Sequence, residues 1–94
     1  MNTIKDKIVF LFDYDIEKNF YTIEGNNLDP CVEIFDNFEV DYHYATPSKL
    51  IINSSNFLRN RTYVIRQLEG NWLYDINIEY SNSYMDNIQY ISEI

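Results

Sequence analysis

The sequence predicts an α+β fold that is predominantly β, a single twisted, mostly antiparallel sheet of about 5–6 strands with one helix packed on it. Three observations lead there. Nine Tyr, six Phe and many Ile with only two Gly and two Pro favour half-buried pleated strands over helices. Apolar and polar residues alternate in several separate stretches, the period of a strand with one buried face. Only one segment, from Thr46-Pro47 onward, opens with the residues that start a helix.

The first element is the clearest by parity. Ile8, Phe10, Phe12, Tyr14 and Ile16 are all apolar, while the odd positions pass from Val9 and Leu11 to Asp13 and Asp15, as expected of a strand whose second face emerges into solvent. Glu17-Lys18-Asn19 breaks the pattern before the apolar run from Phe20, so positions 4–24 read as a hairpin, followed by turn-rich Gly25 to Pro30. Positions 32–44 alternate again: Val32, Ile34, Phe38, Val40, Tyr42 and Tyr44 against Glu33, Glu39, Asp41 and His43. Asp36-Asn37 interrupts them as a bulge or a tight turn. Thr46 as N-cap and Pro47 in the first turn predict a helix over about residues 47–58, although Ile51-Ile52-Asn53-Ser54-Ser55 is poor helix interior. Trp72, Tyr74, Ile76, Ile78 and Tyr80 alternate with Asp75, Asn77 and Glu79 in a strand expected to pair with positions 62–68 across Glu69-Gly70-Asn71. The segment 84–94 fits both periods, and its aromatic and β-branched residues favour strand.

A chain of 94 residues forms one core, so positions 1–94 are expected to be a single domain. Lone Cys31 permits no internal disulfide, and the apolar run from Ile8 to Phe12 is too short for a signal segment or a membrane span. A cytoplasmic location is expected. The formal net charge of -8 excludes a nucleic-acid binder that relies on counterion release, because polyanions repel such a surface. A basic protein partner is the complement. The charges are segregated: Glu24, Asp29, Glu33, Asp36, Glu39 and Asp41 lie between Lys18 and Lys49 with no Lys or Arg among them, and every charge after Arg66 is acidic. Since solvated surfaces usually mix signs, this predicts an acidic face, with Arg59, Arg61 and Arg66 opposite it or paired within.

Candidate chemistry is sparse. An apolar strand ending in Asp13-Tyr14-Asp15 resembles the start of the haloacid-dehalogenase phosphatases, whose first aspartate implies a nucleophile beside Mg²⁺. Ile16-Glu17 departs from that pattern and the chain is too short for the family's parallel sheet, so two solvated aspartates at a strand end are expected instead. Asp13, Asp15, Glu17 and Glu24 half-fit a calcium loop, but Lys18 stands where the turn needs glycine. His43 with Asp41 two residues away is the one acid–base pair near neutral pH. It lacks nearby cations for phosphoryl chemistry, the nearest in sequence being Lys18 and Lys49. Cys31 has no basic neighbour to activate it. No catalytic residue, metal site or cofactor is therefore assigned.

Small, acidic, rich in Tyr and Asn, and without a catalytic motif, the chain resembles in profile the immunity proteins that bacteria make against secreted nuclease toxins. The resemblance implies a non-enzymatic inhibitor that blocks the active site or substrate groove of a basic nuclease. On this reading Glu33, Asp36, Glu39, Asp41, His43, Asp75 and Glu79 form the partner-binding set, with Tyr42, Tyr44, Tyr74 and Tyr80, where exposed, as rigid contacts. A phage-encoded nucleic-acid mimic acting on a host defence nuclease is the alternative, and a small enzyme using His43 and Asp41 the third.

Overall fold

In the computed structural model, which describes residues 4–92, the even-numbered apolar residues of the first strand do what their period dictates: Ile8, Phe10 and Phe12 are buried. The chain order is β1 (Asp6–Asp15), β2 (Phe20–Glu24), α1 (Asp29–Asn37), β3 (Tyr42–Thr46), β4 (Lys49–Asn53), α2 (Ser54–Glu69), β5 (Tyr74–Tyr80) and α3 (Asn82–Ser92). The strands form one sheet in the order β3-β4-β2-β1-β5, antiparallel throughout except for the parallel β1–β5 pair. The α+β class and the mostly antiparallel sheet are thus as the sequence predicts, with five strands.

Register puts the buried apolar residues of β1, β2 and β4, and the half-buried ones of β5, on one face. Phe12 lies opposite Ile23, Ile23 opposite Leu50, Tyr21 opposite Ile52, and Ile8 and Phe10 opposite Ile76 and Ile78. The helices cover that face. Phe57 of α2 packs 5.0 Å from Tyr21 and 6.0 Å from Phe12, centroid to centroid, while Tyr84 of α3 meets Phe12 at 5.8 Å and Phe35 of α1 meets Tyr42 at 5.8 Å. Each such side chain taken from water contributes about 1.5–3 kcal/mol. Gly25 ends β2 because space there is already filled: a Cβ would lie 2.6 Å from the Phe10 ring and 3.1 Å from the Val9 carbonyl oxygen.

Three helices replace the one expected, and the fold is less strand-rich than the composition suggests. Positions 32–44 are not a continuous strand. Pro30, Cys31, Ile34 and Phe35 share a buried helical stripe in α1, Pro30 sits in its first turn, and Asp36-Asn37 closes its last turn. Glu39 then reverses the chain at φ 55°. The helix expected over 47–58 is displaced: Thr46 and Pro47 make the β3–β4 turn, where the Thr46 hydroxyl accepts from the Ser48 N–H, and the β-branched run that follows becomes β4. Asn53 is the true cap, its side chain accepting from the N–H groups of Ser55 and Asn56.

Positions 62–68 belong to α2, where Phe57, Val64 and Leu68 recur at helical spacing and are buried, so β5 pairs with β1 instead. Trp72 precedes β5 and is 78% exposed. The last segment is helical over Asn82–Ser92, positions 93–94 lying outside the described residues; buried Tyr84 and half-buried Ile88 follow its helical period, and the Ser81 hydroxyl accepts from the Tyr84 N–H at the first turn. Among the described residues no helix is long and apolar enough to cross a membrane.

Candidate functional site

With all three helices on one face, the other face of the sheet carries no helix among the described residues. Its side chains follow from strand parity. β1 presents Lys7, Val9, Leu11, Asp13 and Asp15; β2 presents Phe20, Thr22 and Glu24; β4 presents Lys49, Ile51 and Asn53; β3 adds His43; and β5 adds Asp75, Asn77 and Glu79. Two of the carboxylates sit directly opposite lysines in the register, Asp75 beside Lys7 and Glu24 beside Lys49. Asp13, Asp15 and Glu79 instead lie opposite Thr22, Phe20 and Leu11. The face therefore combines an apolar middle with an excess of negative charge.

The face is concave beside the β1–β2 turn. One hollow of about 550 Å³ is lined by Asp13, Asp15, Glu17, Phe20, Thr22 and Ile51, with Lys18 and Lys49 at hand. A second, of about 370 Å³, shares Lys18, Phe20 and Ile51 with it and continues to Asp41 and His43. Phe20 and Ile51 are half-buried, so they form an apolar floor between the carboxylates. The turn that shapes the rim is fixed by its own residues. Asp15 accepts from the Lys18 N–H at 3.0 Å, Asn19 takes φ 57°, and the Tyr14 hydroxyl donates to the Asn19 side chain at 2.6 Å. Asp13 has a structural task as well: its Oδ1 accepts from the Ser81 hydroxyl at 2.5 Å and from the Tyr14 N–H at 2.8 Å.

The expected partner-binding residues are dispersed. Asp41 and His43 come together in the second hollow, exposed. Asp75 and Glu79 share their face but stand on the opposite edge strand, four strand spacings or about 19 Å from His43. Glu33 and Asp36 lie on α1, where Asp36 accepts a 2.8 Å hydrogen bond from the Tyr42 hydroxyl, and Glu39 lies in the turn after that helix. Glu33, Glu39 and Asp41 thus do not line one strand face. The tyrosines expected as contacts, Tyr42, Tyr44, Tyr74 and Tyr80, project from the helix-covered face, Tyr44 being 52% exposed. Sequence reasoning missed that Asp13, Asp15 and Glu17 line a hollow adjoining the one that Asp41 lines, the two sharing Lys18, Phe20 and Ile51. The signal was present in the Glu17-Lys18-Asn19 break, because a hairpin folds strand ends back beside one another.

Arg59, Arg61 and Arg66 all belong to α2 and so lie across the sheet from the acidic face. Cys31 is buried on α1, and burial alone pushes its thiol well above the ordinary range, leaving it protonated and inert. Positions 13–24 form a hairpin rather than a calcium loop, with Glu24 opposite Leu11 and away from Asp15. Among the described residues no group of three or more His, Cys, Asp or Glu is placed to hold a metal ion. No family model, curated protein or solved structure gives a significant match to the chain.

Proposed function

We propose that this chain is a non-enzymatic inhibitor that binds a basic protein through the concave acidic face, and that the partner is a nuclease toxin, as for an immunity protein acting in the cytoplasm. One observation carries the reading: the paired hollows set Phe20 and Ile51 as an apolar floor among the carboxylates of Asp13, Asp15, Glu17 and Asp41, while the arginines of α2 stand on the far side of the sheet. Long-range attraction orients a cationic cleft toward that face, and the floor supplies contact area once water is expelled. Blocking is then stoichiometric. Asp13 and Asp15, two residues apart on one strand, lie about 7 Å apart, near the spacing of successive phosphates, which also supports the phage-encoded mimic of nucleic acid.

The test is inhibition. The purified protein is titrated into basic bacterial nuclease toxins, with RNA and DNA cleavage as readout. Activity of one of them should fall to zero at a one-to-one ratio, and the variant combining Glu17→Lys with Asp41→Lys should fail to inhibit while melting like wild type. Cleavage by the protein itself, lost in His43→Ala, would replace the inhibitor with an enzyme.

A further inference from the structure

The two edges of the sheet are guarded differently. β5, at one edge, carries Asp75 and Glu79 along its own length, charged side chains of the kind that keep an edge strand from pairing, and Asp75 is already matched by Lys7 across the parallel ladder. β3, at the other edge, has no Lys, Arg, Asp or Glu from Tyr42 to Thr46, and four of those five residues are exposed. Its ladder with β4 fixes which backbone groups are spare. The Asn53 N–H donates to the Asp41 carbonyl at 3.2 Å, while Tyr42 stands opposite Ile52 and His43 opposite Ile51. Bonded and non-bonded pairs alternate in an antiparallel ladder, so Asp41 and His43 bond inward to β4, and Tyr42 and Tyr44 turn their N–H and C=O groups outward. Among the described residues no strand pairs with that outer side.

The surroundings of the edge select what docks there. Odd positions of β3 face the open side of the sheet and even positions the helix-covered side. Asp41 lines the second hollow on the open side; on the other side Asp36 lies 2.8 Å from the Tyr42 hydroxyl, and Glu39 stands in the turn that leads into the strand. These three carboxylates outnumber Lys18, the one lysine lining that hollow, and Lys49 beyond it faces Glu24. A second copy of the chain is disfavoured, because antiparallel pairing of β3 with itself would bring both sets of carboxylates together. A cationic strand is favoured. Tyr42 and Tyr44, edge-on to each other at 6.5 Å, offer it apolar contact on the helix-covered side. The usable edge is short, since the register shifts between Tyr44 and Thr46 and Pro47 follows.

We infer that β3 binds an extended, basic segment of a protein partner by strand addition: residues set opposite Tyr42 and Tyr44 exchange backbone hydrogen bonds with them, and the cationic side chains between lie on the open side against Asp41. This rests on the reading of the acidic face as the binding surface and names the part of the partner that docks beside it.

The probe is the peptide acetyl-Thr-Arg-Val-Arg-Val-Arg-Thr-amide, titrated into the whole chain with amide chemical shifts and hydrogen exchange as readouts. It should saturate one site, shift Tyr42 to Thr46, and slow exchange of the Tyr42 and Tyr44 amides. With arginines on the open side, the valine backbone groups face β3 and those of the arginines face solvent. N-methylation of both valines should therefore weaken binding about tenfold or more, and N-methylation of the flanked arginine should leave it unchanged. Replacing the arginines by glutamates should abolish binding, and Asp41→Asn should weaken it about threefold. Equal affinity of the two methylated peptides, a footprint on β5, unaltered affinity in Asp41→Asn, or no saturation in the millimolar range would each overturn the inference. The assay contains no nuclease, so its failure is distinct from that of the inhibitor reading: a chain that takes up the peptide in this way and inhibits nothing keeps the edge and loses the toxin, and one that inhibits without pairing at Tyr42 and Tyr44 does the reverse.

Discussion

Ser81 and Asp13 are 68 positions apart in sequence and joined by one hydrogen bond, so they offer a direct check on how β1 is tied to α3. Ser81 acts twice. Its hydroxyl donates to Asp13 Oδ1 at 2.5 Å and accepts from the Tyr84 N–H at 3.1 Å, anchoring the start of the helix that delivers Tyr84 to the core. Ser81→Ala removes a cap worth about 1 kcal/mol and a bond to a charged acceptor worth about 1.5–3 kcal/mol. Asp13 is only half-buried and regains water on losing its donor, which places the sum near the lower end, about 2–3 kcal/mol. In a domain of this size that lowers Tm by roughly 10 °C or more. Urea melts of Ser81→Ala, Asp13→Ala and the double variant give the coupling, expected at about 1 kcal/mol or more. Additivity within about 0.5 kcal/mol would mean that the two side chains do not act together, and that Asp13 is available for another role.

Three further outcomes follow from the buried polar groups. Tyr84→Phe, which removes an unpartnered buried hydroxyl, should stabilise the free protein by about 1 kcal/mol in urea melts. Stability should decline as pH rises above about 10, since burial pushes Tyr21 up to about 12 and raises Tyr80 and Tyr84. The unfolded chain releases these protons first, so each phenol held protonated contributes a slope of up to about 1.4 kcal/mol per pH unit, and that contribution is absent below pH 10. Urea melts from pH 8 to 11.5 measure it. The thiol of Cys31 should resist disulfide reagents in the native protein and react at once in denaturant.

The period-2 stretches were legible where one face of a strand meets the core and the other meets solvent. Tyr74 to Tyr80 carries that pattern without interruption and Ile8 to Tyr14 carries it on its even positions, and both became strands with the expected faces, although β5 pairs with β1 and not with positions 62–68. Alternation misled over 32–44, because Cys31, Ile34, Phe35 and Phe38 satisfy the helical period while Val32, Ile34 and Phe38 satisfy the strand period; Pro30 in the first turn decides between them. Thr46-Pro47 misled for a related reason, since Thr and Pro suit a tight turn as well as a helix start, and only the β-branched residues that follow distinguish the two. The acidic excess was legible, yet its placement was not. Sequence blocks do not reveal that Asp75 and Glu79 stand on the edge opposite His43, or that Asp13, Asp15 and Glu17 line one hollow and Asp41 its neighbour, with Lys18, Phe20 and Ile51 shared between them.

The most direct test of the acidic face as a recognition surface is the association rate with the nuclease the protein inhibits, measured by stopped flow at low and high ionic strength. Glu17→Lys with Asp41→Lys changes the local charge in each of the two adjoining hollows, at exposed residues. Wild-type association should slow as salt screens the attraction, and the reversed variant should associate about tenfold or more slowly at low salt with that salt dependence lost or inverted. Equal rates for the two proteins at both ionic strengths would contradict the proposal and leave these carboxylates with solubility as their task.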